Sequence, residues 1–266
     1  SKAAVSVDVT FPAGGPRESG TVSVTLASGG SSVVGSTSVT SAMTSVTVSG
    51  INATSLPDGT ITVSASFTGG ATSATVSGTP ATKDTVAPTL NSSLPTSTVV
   101  FRLATASDSG TYDDGVTNVT APSFTVSNVI DGIGNTGSTP SGIDIVYVQV
   151  KLTSSSTYAI SGLGVTSATG GIYTVTTATL AEGTYDVQAR VVDKAGNSAT
   201  FPLSKLNGAP STLRIDTTAP TATVKFTDYA DGGVVPNVDS TYVTALPAAV
   251  NGTKTVAVQV TFTEAG

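Results

Sequence analysis

The chain contains no cysteine, no histidine and no tryptophan. Without cysteine it has no disulfide framework, no thiolate nucleophile and no thiolate metal site. Without histidine it lacks Ser-His and Cys-His catalysis, histidine-bound zinc and the usual general base near neutral pH. These absences leave carboxylates, hydroxyls, amides and a few Tyr for chemistry, and they indicate that the protein is not an enzyme.

Charged residues are also scarce, at 11% of the chain, and the formal net charge is -6. The 11 Lys and Arg residues are scattered and form no stripe that could neutralise phosphates, so nucleic acid is excluded as a partner. No apolar run approaches the roughly 18 residues of a membrane span. The opening SKAAVSVDV lacks the regions of a signal peptide, and we therefore expect a mature form or an excised fragment.

What the chain has in abundance is period-two alternation of apolar residues. It occurs in the segments 5–11, 61–67, 185–191 and 256–262, bounded by Gly, Pro, Asn and Asp. Such runs predict half-buried antiparallel strands. No convincing 3.6-residue periodicity occurs, so we expect an all-β fold without long helices.

Two short segments recur and divide the chain. KDTVAPTL at 83–90 returns as IDTTAPTA at 215–222, and LPDGTITV at 56–63 returns as LAEGTYDV at 180–187. This internal repeat predicts domains at 1–84, 85–216 and 217–266, of which the first and last are incomplete. The middle unit exceeds a minimal β-sandwich, so extended loops are expected at 131–142 and 161–171. Pro88 and Pro220 suit a linker or the start of an edge strand.

A family resemblance rests on three segments in order: the DTxAPT motif, ASDSGTYDDGVTNVTAPSFTVS at 106–127 and LAEGTYDVQARVVDKAGNSAT at 180–200. Together they resemble the bacterial Ig-like tandem repeats of large cell-surface adhesins. The resemblance implies tandem immunoglobulin-like β-sandwiches in an extended array outside the cell, often with calcium at the junctions between domains.

Acidic side chains in turns are the candidate calcium ligands. Short carboxylates in one Gly-rich loop can converge oxygens on a hard cation, and the same holds at the end of a sandwich or at a domain junction. The candidates are Asp108, Asp113 and Asp114 in the loop, Asp193 and Asn197 around a tight turn, and Asp84 and Asp216 at the junctions. The alternative is that these residues only cap turns through bonds to nearby backbone amides.

The sequence supports three functional hypotheses. The first is a structural extender segment of a secreted or cell-surface adhesin or fibre, partnered by neighbouring domains of the same or a like chain. The second is a self-assembling envelope or filament subunit, surface-layer or pilus-like, which pairs through exposed strand edges. The third is a ligand-binding module of a phage tail or surface protein, which contacts a host-surface or envelope receptor through its loops.

Overall fold

The computed structural model describes residues 4–12, 18–69, 72–91, 101–132, 140–205, 211–228 and 257–263. Contacts between residues divide the chain into two units, Ser1–Asp216 and Thr217–Gly266. Within the described ranges the regular structure consists of β-strands and one 3-10 turn, Thr105–Ser107. The predicted all-β fold is confirmed.

The first part of the larger unit is a sandwich of two antiparallel sheets. Its strands are β1 (Ala4–Thr10), β2 (Gly20–Ser28), β3 (Ser31–Val39), β4 (Ser45–Asn52), β5 (Gly59–Gly69), β6 (Thr72–Ser77) and β7 (Ala81–Lys83). One sheet consists of β1 and β4, and the other has the order β3-β2-β5-β6, with β7 paired to the beginning of β5. Inward-facing residues of these strands form a core of Val22, Val24, Leu26, Val39, Val48, Ile51 and Ile61. Ala53 and Leu56, from the connection between β4 and β5, complete this core.

The second part of the same unit begins after residue 88. Its strands are β8 (Thr89–Leu90), β9 (Phe101–Leu103), β10 (Val116–Thr117), β11 (Ser123–Ser127), β12 (Val129–Ile130), β13 (Ile143–Leu152), β14 (Ala159–Val165), β15 (Ile172–Thr176), β16 (Gly183–Asp193), β17 (Ser198–Pro202) and β18 (Leu213–Ile215).

These strands form a second sandwich with a larger core. One sheet has the order β15-β11-β9, and the opposite sheet has the order β10-β18-β16-β13-β14, with β17 also paired to β16. Strands β8 and β12 form a separate antiparallel pair. The rings of Phe101 and Phe124 are fully buried, with their centroids 5.3 Å apart. The hydroxyl of Tyr185 donates a hydrogen bond to the carbonyl oxygen of Ala181 at 2.9 Å, which resembles the tyrosine corner of immunoglobulin-like sandwiches.

The smaller unit contains an antiparallel strand pair, β19 (Thr221–Asp228) and β20 (Ala257–Thr263). Thr221 pairs with Thr263, and Val224 pairs with Val260. Strand β19 starts directly after Pro220, as β8 starts directly after Pro88. Both prolines therefore stand at the start of a strand, as predicted.

The structure corrects one loop prediction. Residues 161–165 belong to β14, so only the following segment forms the loop that was expected at 161–171. The prediction took the Gly-rich composition as the sign of a loop. In the structure, Gly162 instead lies at a bulge between β13 and β14, where the pairing register shifts. Most of the second expected loop, residues 133–139, lies outside the described residues. The boundary near residue 84 stays a prediction.

Truncation of Phe124 tests the core of the second sandwich. We expect Phe124→Ala to lower the free energy of unfolding by about 3–5 kcal/mol, because it removes a fully buried ring. The control is Leu163→Ala, at a side chain that is 87% exposed, and its cost should stay within about 0.5 kcal/mol. Denaturant unfolding followed by tyrosine fluorescence suits the measurement, because residues 1–100 contain no Tyr. Equal losses in the two variants would contradict the assignment.

Candidate metal centre

Three buried carboxylates converge where the first sandwich meets the second. Asp84, Asp131 and Asp193 each offer a carboxylate oxygen, and these three oxygens lie within 4.8 Å of one another. The three residues are only 4%, 7% and 1% exposed. Like charges that are so close and so well buried repel one another strongly, and buried charges ordinarily occur only where they are paired or coordinate a metal.

Asp84 is the contribution of the first sandwich, because it directly follows β7. Its Oδ1 accepts a hydrogen bond from the backbone amide of Val86 at 3.0 Å, which closes a local turn. Its Oδ2 accepts from the backbone amide of Ser141 at 2.8 Å, and Ser141 belongs to the second sandwich. One carboxylate thus contacts both sides of the junction.

Asp131 follows β12, and its two carboxylate oxygens differ in their hydrogen bonding. Its Oδ2 accepts hydrogen bonds from the hydroxyl of Ser141 at 3.1 Å and from the backbone amide of Gly142. Its Oδ1 is buried and has no hydrogen-bond partner among the described residues. A buried oxygen without a partner costs free energy, and a bound cation would remove that cost.

Asp193 ends β16 and is held by the turn that leads into β17. Its Oδ1 accepts from the backbone amide of Asn197 at 2.8 Å, and its Oδ2 accepts from the Asn197 side chain at 2.9 Å. The turn closes through a bond from the Gly196 amide to the Asp193 carbonyl at 3.1 Å. The four-residue spacing of this Asp and Asn therefore serves to fix the direction of the Asp193 carboxylate.

The segment between β7 and β8, residues 84–88, is also held against the second sandwich by contacts that do not involve the carboxylates. The side-chain amide of Asn197 donates to the carbonyl oxygens of Asp84 and Val86, at 3.2 Å and 3.3 Å. Gly132 allows the segment to lie close, because a Cβ at this position would stand 2.3 Å from Cγ1 of Val86 and 2.8 Å from the Ala87 carbonyl oxygen. Asn197 and Gly132 thus position Asp84 against the second sandwich.

Burial, repulsion between carboxylates and hydrogen bonds act differently on the two residues of the cluster whose pKa is shifted. Burial raises the pKa of Asp131, and the charges of Asp84 and Asp193 raise it further, against hydrogen bonds that lower it. Burial also raises the pKa of Asp84, but hydrogen bonds from Ser141 and Val86 outweigh it and hold that pKa below its ordinary value. The salt bridges found among the described residues, Lys151–Asp186 and Arg214–Asp216, do not involve the cluster.

The structure brings together part of the predicted ligand set. Asp84 and Asp193 lie in the cluster, and Asn197 supports it through its amide nitrogen. Asp131 was missed because it was assigned to an extended loop. The available signal was its position, an Asp-Gly pair directly after an alternating segment, as at the end of a strand.

The other predicted ligands lie elsewhere. In the loop at 108–114, Oδ2 of Asp108 accepts from the Asp113 amide at 2.6 Å, and Oδ1 of Asp114 accepts from the Val116 amide at 2.8 Å. These carboxylates cap turns of their own loop, although Oδ1 of Asp108 is buried without a partner among the described residues. Asp216 forms an ion pair with Arg214 at 3.0 Å. Cation binding at these two places stays a prediction.

Comparison with known proteins shows what the second sandwich is similar to. A family model described as a bacterial Ig-like domain matches residues 94–217. The match covers slightly less than half of the chain and lies over the second sandwich. The resemblance to bacterial Ig-like repeats is thereby confirmed. No curated protein sequence matches the chain.

Two solved structures also resemble the chain. One is the tetra-tandem repeat in the extending region of a large adhesion protein, with 16% identity, a TM-score of 0.32, and coverage of 85% of this chain and 53% of that one. The chain thus spans about half the length of that structure. The other contains the fibronectin(III)-like modules of Clostridium thermocellum CbhA, with 13% identity, a TM-score of 0.34, and coverage of 80% and 85%. No helix with the length and apolar character of a membrane span occurs in the described residues.

The repulsion in the cluster predicts an unusual effect of pH and of one isosteric change. Because the pKa of Asp131 is raised in the folded state, its ionised form opposes folding, and this opposition fades as pH falls through the raised pKa. In the presence of a chelator at neutral pH, we expect Asp131→Asn to raise the free energy of unfolding by about 0.5–2 kcal/mol. The gain should shrink on acidification.

The control for this prediction is Asp144→Asn, which removes the same charge from an exposed position on β13. Urea unfolding at several pH values measures both variants. If Asp131→Asn is less stable than the wild type in chelator at neutral pH, the carboxylates of the cluster do not repel one another as described.

Proposed function

We propose that the chain is a structural extender segment of a secreted or cell-surface bacterial adhesin or fibre, in which a bound Ca²⁺ fixes the angle between successive sandwiches. The single observation that supports this proposal is the convergence of Asp84, at the end of the first sandwich, with Asp131 and Asp193 of the second sandwich. The role assigned to these residues is mechanical, and no catalytic step is attributed to them.

The donor set fits calcium better than other cations. All three side chains offer oxygen, which hard cations prefer, and the chain contains no Cys or His for softer metals. Mg²⁺ keeps several of its waters and demands octahedral geometry, which a site with residues under 10% exposed does not favour. Ca²⁺ accepts irregular oxygen cages, so the cluster fits Ca²⁺.

The division of ligands between two sandwiches explains why a cation would stiffen the junction. Asp84 is attached to the first sandwich through β7, whereas Asp131 and Asp193 end strands of the second. When Ca²⁺ is bound, it supplies the positive charge that the cluster lacks. Asn197 and Gly132 hold the connecting segment near that position, so the cation would add to a junction that is already partly ordered.

The setting outside a cell agrees with the chemistry. Extracellular modules need only weak sites, with dissociation constants of about 10⁻⁴–10⁻³ M, because external calcium is plentiful. The bacterial Ig-like family and the low content of charge are consistent with a surface-exposed module.

Calcium binding is tested by thermal unfolding. At 10 mM Ca²⁺, a site of the strength proposed should stabilise the protein by about 1.4–2.7 kcal/mol relative to chelator. The variant Asp131→Asn should lose most of this gain, whereas Asp144→Asn should keep it. Asp131→Asn should be more stable than the wild type in chelator but should gain little stability from Ca²⁺. This combination distinguishes the loss of a calcium ligand from general destabilisation. A wild-type protein whose unfolding ignores Ca²⁺ would disprove the site.

The extender role is tested by small-angle X-ray scattering with and without chelator. We expect chelation to change the maximum dimension of the particle while the far-ultraviolet circular dichroism stays constant, because the junction loosens before either core melts. The maximum dimension of Asp131→Asn should not depend on calcium concentration, because the variant lacks one of the proposed ligands. Identical maximum dimensions in all conditions would contradict a cation-fixed junction.

A further inference from the structure

The larger sheet of the second sandwich, β10-β18-β16-β13-β14, carries large polar side chains on its outer face. Buried core residues of β13 alternate with Tyr147 and Gln149, so these two side chains point away from the core. Their pairing partners on β16, Arg190 and Gln188, lie on the same face. All four residues are half-buried. The outer face therefore offers a set of polar groups on two neighbouring strands.

The first sandwich provides an internal comparison for this face. The segment LAEGTYDV at 180–187 corresponds to LPDGTITV at 56–63, which aligns Arg190 with Ser66. Ser66 pairs with Ser23 of β2, as Arg190 pairs with Tyr147 of β13. The sheet thus needs only two serines at this place. The two neighbouring cross-strand pairs differ likewise, being Thr25–Ser64 and Ala27–Thr62 in the first sandwich and Gln149–Gln188 and Lys151–Asp186 in the second.

Two of these three pairs in the second sandwich satisfy each other. Lys151 and Asp186 form an ion pair at 2.6 Å, and the two glutamine side chains share a hydrogen bond of 2.9 Å. The third pair is different, because neither the Tyr147 hydroxyl nor the Arg190 guanidinium has a hydrogen-bond partner among the described residues. Cross-strand stabilisation therefore explains the first two pairs but not the third.

Gly164 of β14 determines where the Tyr147 ring lies. A Cβ at position 164 would stand 2.6 Å from Cε1 of Tyr147 and 2.5 Å from Cδ1 of Ile145, so both side chains lean over the glycine. Because β13 lies between β14 and β16, the ring extends away from Arg190. No cation-π contact joins the two in the described part of the chain. The ring and the guanidinium are thus held apart, where one ligand can contact both.

The chemistry of this row of residues favours an acidic saccharide. A guanidinium binds a planar carboxylate through two parallel hydrogen bonds. A tyrosine offers an apolar ring against which a sugar can pack and a hydroxyl that can bond to it. Thr200, the partner of Arg190 on β17, adds an exposed hydroxyl on the other side. An extended peptide fits less well, because it binds by pairing with a sheet edge, and these residues lie on strands that are paired on both sides.

We propose that the outer face of this sheet binds a carboxylate-bearing saccharide, with Arg190 on the carboxylate and Tyr147 against the sugar ring. The site goes beyond the extender role, because it would let the segment itself contact a glycan. None of its residues belongs to the buried carboxylate cluster. Binding is therefore measured in chelator, where a Ca²⁺ ion cannot bridge the saccharide and the protein.

Nuclear magnetic resonance titration of the whole chain with a tetrasaccharide of alternating glucuronic acid and N-acetylglucosamine tests the site. We expect the acidic tetrasaccharide to bind and its neutral methyl ester to bind on the order of tenfold more weakly, because the ester cannot pair with the guanidinium. Arg190→Ser should weaken binding of the acid on the order of tenfold, and Tyr147→Ser by about two- to tenfold. Both variants install the serine that the first sandwich has at that position, so circular dichroism should show an unchanged fold.

Two further variants serve as controls. Arg102→Ser removes the same charge from β9 in the opposite sheet and should leave binding unchanged. Arg190→Lys keeps the charge but loses the planar fork, so its affinity should lie between those of the wild type and Arg190→Ser. The proposal is overturned if the acidic tetrasaccharide does not bind, if its ester or the Arg190→Ser protein binds equally well, or if a tetraglutamate peptide binds more tightly than the saccharide.

Discussion

The long strands of the two sandwiches, such as β2 and β16, have one buried face, and that face has to be covered by a second sheet. The alternation of apolar and polar residues places the apolar side chains on one face of such a strand, so a single sheet would leave that face in water. In both parts of the larger unit two sheets close over a shared core.

Because the apolar faces of the strands are buried in the two cores, the candidate functional side chains lie at the ends of strands. Asp84 and Asp131 stand directly after strands and Asp193 is the last residue of β16, where the backbone leaves the sheet and short polar side chains take over its hydrogen bonds. Individually each is an ordinary turn residue. Their combination is different, because the three oxygens share a buried space and one oxygen of Asp131 has no partner there.

The proposed cation site addresses a mechanical need. An extended segment has to pass force from one sandwich to the next, and a fixed angle between the sandwiches allows it to do so. Asp84, Asp131 and Asp193 come from both sides of that junction, so a cation bound to them would set the angle.

The sequence by itself determined the all-β fold and the resemblance to bacterial Ig-like repeats, because these depend on local periodicity and short motifs. Proline geometry left either a linker or the start of a strand open at Pro88 and Pro220, and the structure has strands directly after both. The sequence also indicated that Asp84 and Asp193 matter, since both belong to recurring or family-like segments. Only the tertiary structure decided that Asp131 joins them, that Asn197 orients Asp193 instead of standing alone, and that Gly162 lies in a strand bulge. The convergence of Asp131 with Asp84 and Asp193 depends on which distant segments become neighbours, and proximity between residues more than 45 positions apart leaves no periodic trace in one sequence. The bond from Asn197 and the bulge at Gly162 are more local, but they depend on the geometry of a turn and on strand pairing, which composition does not specify.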